Sequence, residues 1–281
     1  MLDIDIPIPK YLNEYFESLE KEHGIELSLP KKRWYTMKYK ELGEEIRQEY
    51  PSTPEESFMG SSEGYWYLKE LNEARQQHRI TNVPFQPQCL VHTAWDLGFR
   101  DQTSIWFYQQ LPSGAIHIID YYENSGEGLA HYVAYLNSQK YRDVYGTHHM
   151  PHDAAAHEKG SGLSVAQQAK DSGLDVNILR RYTSSKSSFI MEIQRARNLI
   201  GRCYFDESHC AVGIRNLENY RKKWNESMVC YTSEPVHDVA SHGSDAFRYL
   251  AQAVETEARK PSDAKMEQER KKIQKAKRYR I

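Results

Sequence analysis

Cys89-Leu-Val-His-Thr-Ala-Trp95, Thr103-Ser-Ile-Trp-Phe-Tyr-Gln-Gln110 and Ala115-Ile-His-Ile-Ile-Asp-Tyr-Tyr122 follow one another across short gaps that hold Gly98, Pro112, Ser113 and Gly114. Each run has strand length and is rich in β-branched and aromatic residues. The gaps are too short for a parallel crossover. Three antiparallel strands in a meander are the reading.

Downstream, residues 128–140 carry Leu129, Tyr132, Val133 and Leu136 at helical spacing. A fourth strand is predicted over 144–152, a helix over 163–172 and a fifth strand over 175–181. Helices are predicted over 188–200, 210–224 and 243–258. The order β-β-β-α-β-α-β-α-α-α predicts an α/β fold, a mixed five-stranded sheet with helices on both faces.

Upstream, residues 1–60 are polar and rich in Tyr, with a weak helix over 11–21. Pro51 and Pro54 make a turn, 61–77 reads as a helix, and Pro84 and Pro87 mark a linker. The expected division is an N-terminal segment 1–85, a main domain 86–258 and a basic tail 259–281.

The chain has 281 residues with 37 Lys plus Arg and 39 Asp plus Glu, a net charge of −2. The tail holds ten Lys or Arg and three acids, or +7, which leaves −9 for the rest. A basic end on an acidic body points to a polyanionic partner. No apolar run approaches the ~18 residues of a membrane span. No secretory leader is visible at the N-terminus. The cysteines at 89, 203, 210 and 230 have no CxxC pairing and read as reduced thiols of a cytosolic protein.

Acids stand where the chain leaves buried strands. Asp96 ends the first run, Asp153 ends the fourth in Pro151-His-Asp-Ala, and Asp245 opens the last helix in Ser241-His-Gly-Ser-Asp-Ala-Phe-Arg-Tyr-Leu250. In open α/β sheets, ligands gather outside the carboxyl ends of the strands. If the first and fourth strands are parallel neighbours, Asp96 and Asp153 emerge side by side, and the last helix brings Asp245 to them. Singly, Asp96 suits a turn, and Asp153 and Asp245 suit helix N-caps. Together, three carboxylates repel one another unless a cation sits among them. Oxygen ligands favour Mg2+ or Mn2+. Two such ions ~4 Å apart form the clamp used for in-line phosphodiester cleavage.

Taken in order, Trp-Asp96-Leu-Gly-x-x-Asp101-x-Thr, Ile-Asp120-Tyr-Tyr-Glu123, Pro-His-Asp153-Ala and Ser-His242-Gly-Ser-Asp245-Ala-Phe-Arg-Tyr resemble the C-terminal nuclease domain of tailed-phage terminase large subunits. The resemblance runs from about Cys89 to Val254. Glu49-Tyr-Pro-Ser-Thr-Pro-Glu-Glu-Ser-Phe58 resembles the segment leaving the ATPase domain of those proteins. It implies a ribonuclease H-like fold and an endonuclease that cuts concatemeric double-stranded DNA. Its metal-binding acids would be Asp96, Asp153 and Asp245, with two Mg2+ or Mn2+ ions. His242, Glu123 and Asp101 would support them. A small terminase subunit and a portal protein would be partners, in the bacterial host cytoplasm and with no membrane. The chain lacks the GxxxxGK[ST] phosphate loop of a packaging ATPase, so no ATP hydrolysis is expected. Cys203-Tyr-Phe-Asp-Glu207 looks superficially like a Walker B strand but reads better as a short strand ending in two acids.

His148, His149, His152 and His157 raise the question of zinc. His148 and His149 are consecutive in a strand and face opposite ways, which argues against it. Arg180, Arg181, Lys186, Arg195 and Arg197 are candidates for holding a phosphate backbone. A junction resolvase or transposase-like nuclease of the same fold is the competing enzyme. A non-catalytic module that docks DNA or portal is the competing binding protein.

Overall fold

The structure is a computed structural model that describes residues 6–42, 46–53, 56, 62, 64–98, 101–156, 162–180, 186–226 and 230–258, with backbone alone at 42, 48, 186, 187 and 258. Arg181, His157 and the 259–281 tail lie outside the described residues, as does the side chain of Lys186. The chain divides into two compact units, Met1–Gly64 and Tyr65–Ile281.

The first unit holds α1 (Lys10–His23), α2 (Leu29–Leu42) and α3 (Ile46–Glu49). Leu12, Phe16 and Leu19 recur at helical spacing on α1 and bury against Tyr35 and Ile46. Gly24, at φ 66°, ends α1 in the left-handed conformation. The Tyr15 hydroxyl donates to Glu56 at 2.6 Å, and the Arg47 guanidinium lies 4.9 Å from the Tyr15 ring centre.

The second unit runs α4 (Leu68–Gln76), β1 (Ile80–Thr81), β2 (Val91–Asp96), β3 (Gln102–Gln110), β4 (Ile116–Ser125), α5 (Leu129–Ser138) and β5 (Tyr145–Met150). A 3-10 turn (His152–Ala155), α6 (Val165–Asp171), β6 (Val176–Ile178), α7 (Lys186–Ile200) and β7 (Cys203–Asp206) follow. Then come α8 (Ala211–Asn219), β8 (Lys222–Asn225), β9 (Cys230–Pro235) and α9 (Val239–Ala258).

The sheet order is β1-β7-β4-β3-β2-β5-β6, and β8 and β9 form a separate ribbon. β2, β3 and β4 are the antiparallel meander, while β5 adds parallel to β2 and β6 parallel to β5. The five expected strands are therefore one contiguous block of a mixed α/β sheet. The sheet itself has seven strands, not five. β7 joins β4 in parallel, and β1, inside the stretch read as a linker, joins β7. The Asp206 carboxylate closes that edge, accepting from the amides of Val83, Ser208 and His209 at 3.0, 3.1 and 2.8 Å. Burial acts to raise its pKa, but these donors outweigh it and hold the acid well below the usual range. Asp206 is thus a local cap.

Three boundaries differ from expectation, the first being the helix expected over 61–77, which begins only at Leu68. α8 stops at Asn219, and residues 222–225 form β8, whose Trp224 meets Tyr231 of β9 at 4.8 Å between ring centres. α9 begins one turn early, at Val239.

Side chains alternate across the central strands. Ala94, Trp106 and Tyr121 face the core with Phe247 and Leu250 of α9, whereas Val91, Trp95, Ile105 and Phe107 face the core with Tyr132 and Leu136 of α5. Trp106 donates through Nε1 to the Gly243 carbonyl at 2.8 Å, which ties β3 to the start of α9. Gly213 of α8 lies so close that a Cβ there would fall 2.4 Å from Trp106 Cη2 and 2.7 Å from Tyr121 Cγ. Gly213→Ala should therefore overpack this core and lower stability by about 1–3 kcal/mol. Urea unfolding monitored by tryptophan fluorescence reads this out, and an unchanged midpoint would refute the close contact.

Candidate functional site

β2 is covered on both faces and flanked on both sides, which explains why it is buried throughout except at its end, Asp96. Asp96 pairs in register with Ser104, and Ser104 with Glu123. All three share the face of Ala94, Trp106 and Tyr121, the face under α9. β5 runs parallel beside β2, and the 3-10 turn after it carries Asp153 to the same sheet edge.

α9 supplies the other side of the site. His242 Nδ1 lies 3.4 Å from Asp96 Oδ2. Asp245 Oδ1 accepts from Arg248 Nη2 at 2.7 Å and from the Tyr220 hydroxyl at 3.3 Å. Burial pushes the Asp96 carboxyl up to about 6; the His242 contact opposes this and the Asp245 charge adds to it. His242 is raised, first by its hydrogen bond to Asp96, with the charges of Asp96, Asp245 and Asp101 adding and burial opposing. Burial raises the Tyr249 phenol, and the carboxylates of Asp96, Asp245 and Asp153 each add to that rise. Asp96 thus meets α9 through His242, while Asp245 is held by Arg248 and Tyr220 and Asp153 stands exposed in the turn after β5.

Glu123 sits one strand beyond Ser104, about 10 Å from Asp96 by strand spacing. It accepts from the Tyr121 hydroxyl at 2.5 Å and from Asn216 Nδ2 at 2.8 Å. Asp101 is exposed at the far end of a turn held tight at Gly98, where a Cβ would lie 2.7 Å from the Asp101 carbonyl carbon. Arg180 is exposed just beyond β6, and its carbonyl accepts from Gln252 Nε2 of α9 at 3.0 Å. Arg195 is ion-paired with Glu255, while Arg197 donates to the Trp66 carbonyl at 2.8 Å and pairs with Glu70 at 3.4 Å. Those two guanidinium groups tie α7 to α9 and to α4. Residues that sequence reading missed are Tyr220, Glu192 and the side chains of Arg248 and Tyr249. Arg248 and Tyr249 stood in the quoted motif, three and four residues after Asp245, on the same side of a helix.

Histidines also gather elsewhere. His92, His149 and Glu257 bring ligand-capable atoms within 4.8 Å of one another. Glu257 is twelve residues past Asp245, about 18 Å along α9. His92 Nδ1 accepts the Thr147 amide at 3.1 Å, so the neutral ring carries its proton on Nε2. His149 Nδ1 meets Asn177 Nδ2 at 3.1 Å, and its Nε2 lies 3.3 Å from Glu257 Oε1. Gln110 also donates to Glu257. The Gln110 hydrogen bond and the His149 contact hold Glu257 of α9 against the sheet. His148 faces the other way, with Nδ1 2.7 Å from Thr93 Oγ1.

No protein-family model matches the chain, and no curated protein does. Solved structures do. The P22 large terminase nuclease domain is 18% identical over 63% of this chain and 88% of that one, with a TM-score of 0.46. The large terminase nuclease of thermophilic phage G20c with bound cobalt is 14% identical over 67% of this chain and 96% of that one, with a TM-score of 0.46. The large terminase of a second thermophilic bacteriophage is 16% identical over 62% of this chain, with a TM-score of 0.48. The chain spans about two fifths (41%) of that enzyme's length. This chain is similar in structure to the nuclease domains of phage large terminases.

Proposed function

We propose that this chain is a divalent-metal-dependent DNA endonuclease, the nuclease part of a genome-packaging terminase that cuts concatemeric double-stranded DNA. The observation that carries it is the Asp96–His242 contact, which joins the end of β2 to α9, the helix that also holds Asp245. The site suits Mg2+ or Mn2+. Its donors are carboxylate oxygens, and Asp96, half-buried and under the charge of Asp245, is a carboxyl that a nearby cation would relieve. Asp96, Asp153 and Asp245 would hold two ions. When bound, such ions polarise water and neutralise charge at the leaving oxygen.

The remaining roles belong to the chain itself. His242, anchored to Asp96 through Nδ1, leaves Nε2 to hold or move a proton at the reacting phosphate. Glu123, held by Tyr121 and Asn216, and Asp101 support the edge. Arg180 would grip the backbone without reading sequence. A small terminase subunit, a portal protein and the host cytoplasm complete the reading. Residues 1–64 would be the end of an ATPase domain, 65–258 the nuclease, whose sheet takes in β1 from the stretch read as a linker, and 259–281 a basic tail.

The test is conversion of supercoiled plasmid to nicked and linear forms with Mg2+ or Mn2+ and with EDTA. Cutting that persists in EDTA would reject the reading. A marked preference for four-way junctions over linear duplex would select the resolvase alternative instead.

The tail makes its own prediction. With ten cationic residues, deletion of 259–281 should flatten the plot of log affinity against log salt by several units. An unchanged slope in a fluorescence-anisotropy titration would clear the tail of phosphate contact.

A further inference from the structure

We propose that Arg248 is a positioning residue for Asp245, fixing Oδ1 so that Asp245 offers a cation only Oδ2. This rests on the reading of Asp245 as a metal-binding acid. Arg248 follows Asp245 by three residues on α9, and its Nη2 stands 2.7 Å from Asp245 Oδ1. The Tyr220 hydroxyl, from the end of α8, donates to the same oxygen at 3.3 Å. Two donors occupy Oδ1, which leaves Oδ2 as the oxygen for a metal.

The guanidinium is itself fixed from the other side. Nη1 pairs with Glu192 of α7, and the group lies 5.0 Å from the centre of the Phe189 ring. Arg248 is 13% exposed and Glu192 19%. A planar fork held at one end by α7 and aimed at Asp245 with the other sets orientation as well as charge. Its Nε is buried with no hydrogen-bond partner among the described residues. Groups that orient a metal ligand commonly set metal affinity by 10–100-fold.

The cleanest test removes both buried charges together. The double variant Glu192→Met/Arg248→Met keeps the net charge of the site and a similar side-chain volume, and such replacements of buried ion pairs are often tolerated. Mn2+ affinity is measured by electron paramagnetic resonance of the free ion for wild type, Asp245→Asn and the double variant, alongside melting of the metal-free proteins. The expected result is a double variant that melts within a few degrees of wild type and binds Mn2+ about 10–100-fold more weakly. A folded double variant with wild-type affinity would overturn the proposal, because a packing role alone would move only the melting temperature. Should the double variant not fold, Arg248→Lys keeps the charge but loses the fork. It is expected to bind Mn2+ about tenfold more weakly, and wild-type affinity there would overturn the proposal too. Equal binding by wild type and Asp245→Asn would instead remove the metal reading itself, and the positioning role with it.

Discussion

Single replacement of Asp96, Asp153 or Asp245 by Asn is expected to reduce metal-dependent DNA cleavage by at least about a hundredfold. Partners that only orient a ligand already contribute about 10–100-fold, so loss of a ligand oxygen should exceed that range. The three variants are not equivalent. Asp153 is exposed in its turn, so Asp153→Asn should melt like wild type and isolates the effect on chemistry. Asp245→Asn also leaves Arg248 facing an amide, so its loss combines binding and orientation. His242→Gln should cost less than any of the three, because it keeps all the carboxylates. Single-turnover rates at saturating Mn2+ decide the matter. Full rates in Asp153→Asn would break the set of three.

The second large effect runs in the opposite direction. Asp96→Asn should stabilise the metal-free protein at neutral and higher pH. The Asp96 carboxyl is pushed up to about 6 from an ordinary 3.8, chiefly by burial. Folding therefore favours its protonated form. The stability this contributes is complete below about pH 4 and is lost as the pH rises through about 6. Above that the folded protein carries a poorly solvated charge, worth up to about 3 kcal/mol by linkage. Partial protonation of His242 offsets part of it. Thermal melts in EDTA should thus show Asp96→Asn above wild type at pH 8, with the gap closing toward pH 4. Added Mn2+ should raise the melting temperature of wild type more than that of the variant. A variant that melts lower than wild type at pH 8 would contradict the burial cost assigned to Asp96.

The meander was legible in the sequence because its three runs are rich in β-branched and aromatic residues and stand a few residues apart, and β2 and β3 are buried along almost their whole length. β1 was not, since two residues inside a proline-bounded stretch carry no periodicity. β7 was readable as a strand, but its partners were not, because parallel pairing with β4 is a long-range fact that no local spacing records. α2 was missed for another reason. Its sequence, Leu29-Pro-Lys-Lys-Arg-Trp-Tyr-Thr-Met-Lys-Tyr-Lys-Glu-Leu42, has charges on every side and no single apolar stripe. The helix over 210–224 overran because Arg221, Lys222 and Lys223 are good helix formers, and the ribbon with β9 overrides that preference. At the site, the neighbourhood of Asp96 and Asp153 follows from β2 and β5 lying parallel. Glu192 and Tyr220 were invisible because they reach Arg248 and Asp245 from other helix segments, 56 and 25 residues away in the chain.

The outermost strands of the large sheet, β1 and β6, are two and three residues long. Each therefore offers a neighbouring molecule hardly any unsatisfied amide ladder. A wide sheet rich in isoleucine and aromatic residues would otherwise invite strand-to-strand recruitment at the concentrations used for storage or crystallisation. The β8–β9 ribbon, with Trp224 and Tyr231 exposed, is where self-association should begin if it begins anywhere among the described residues.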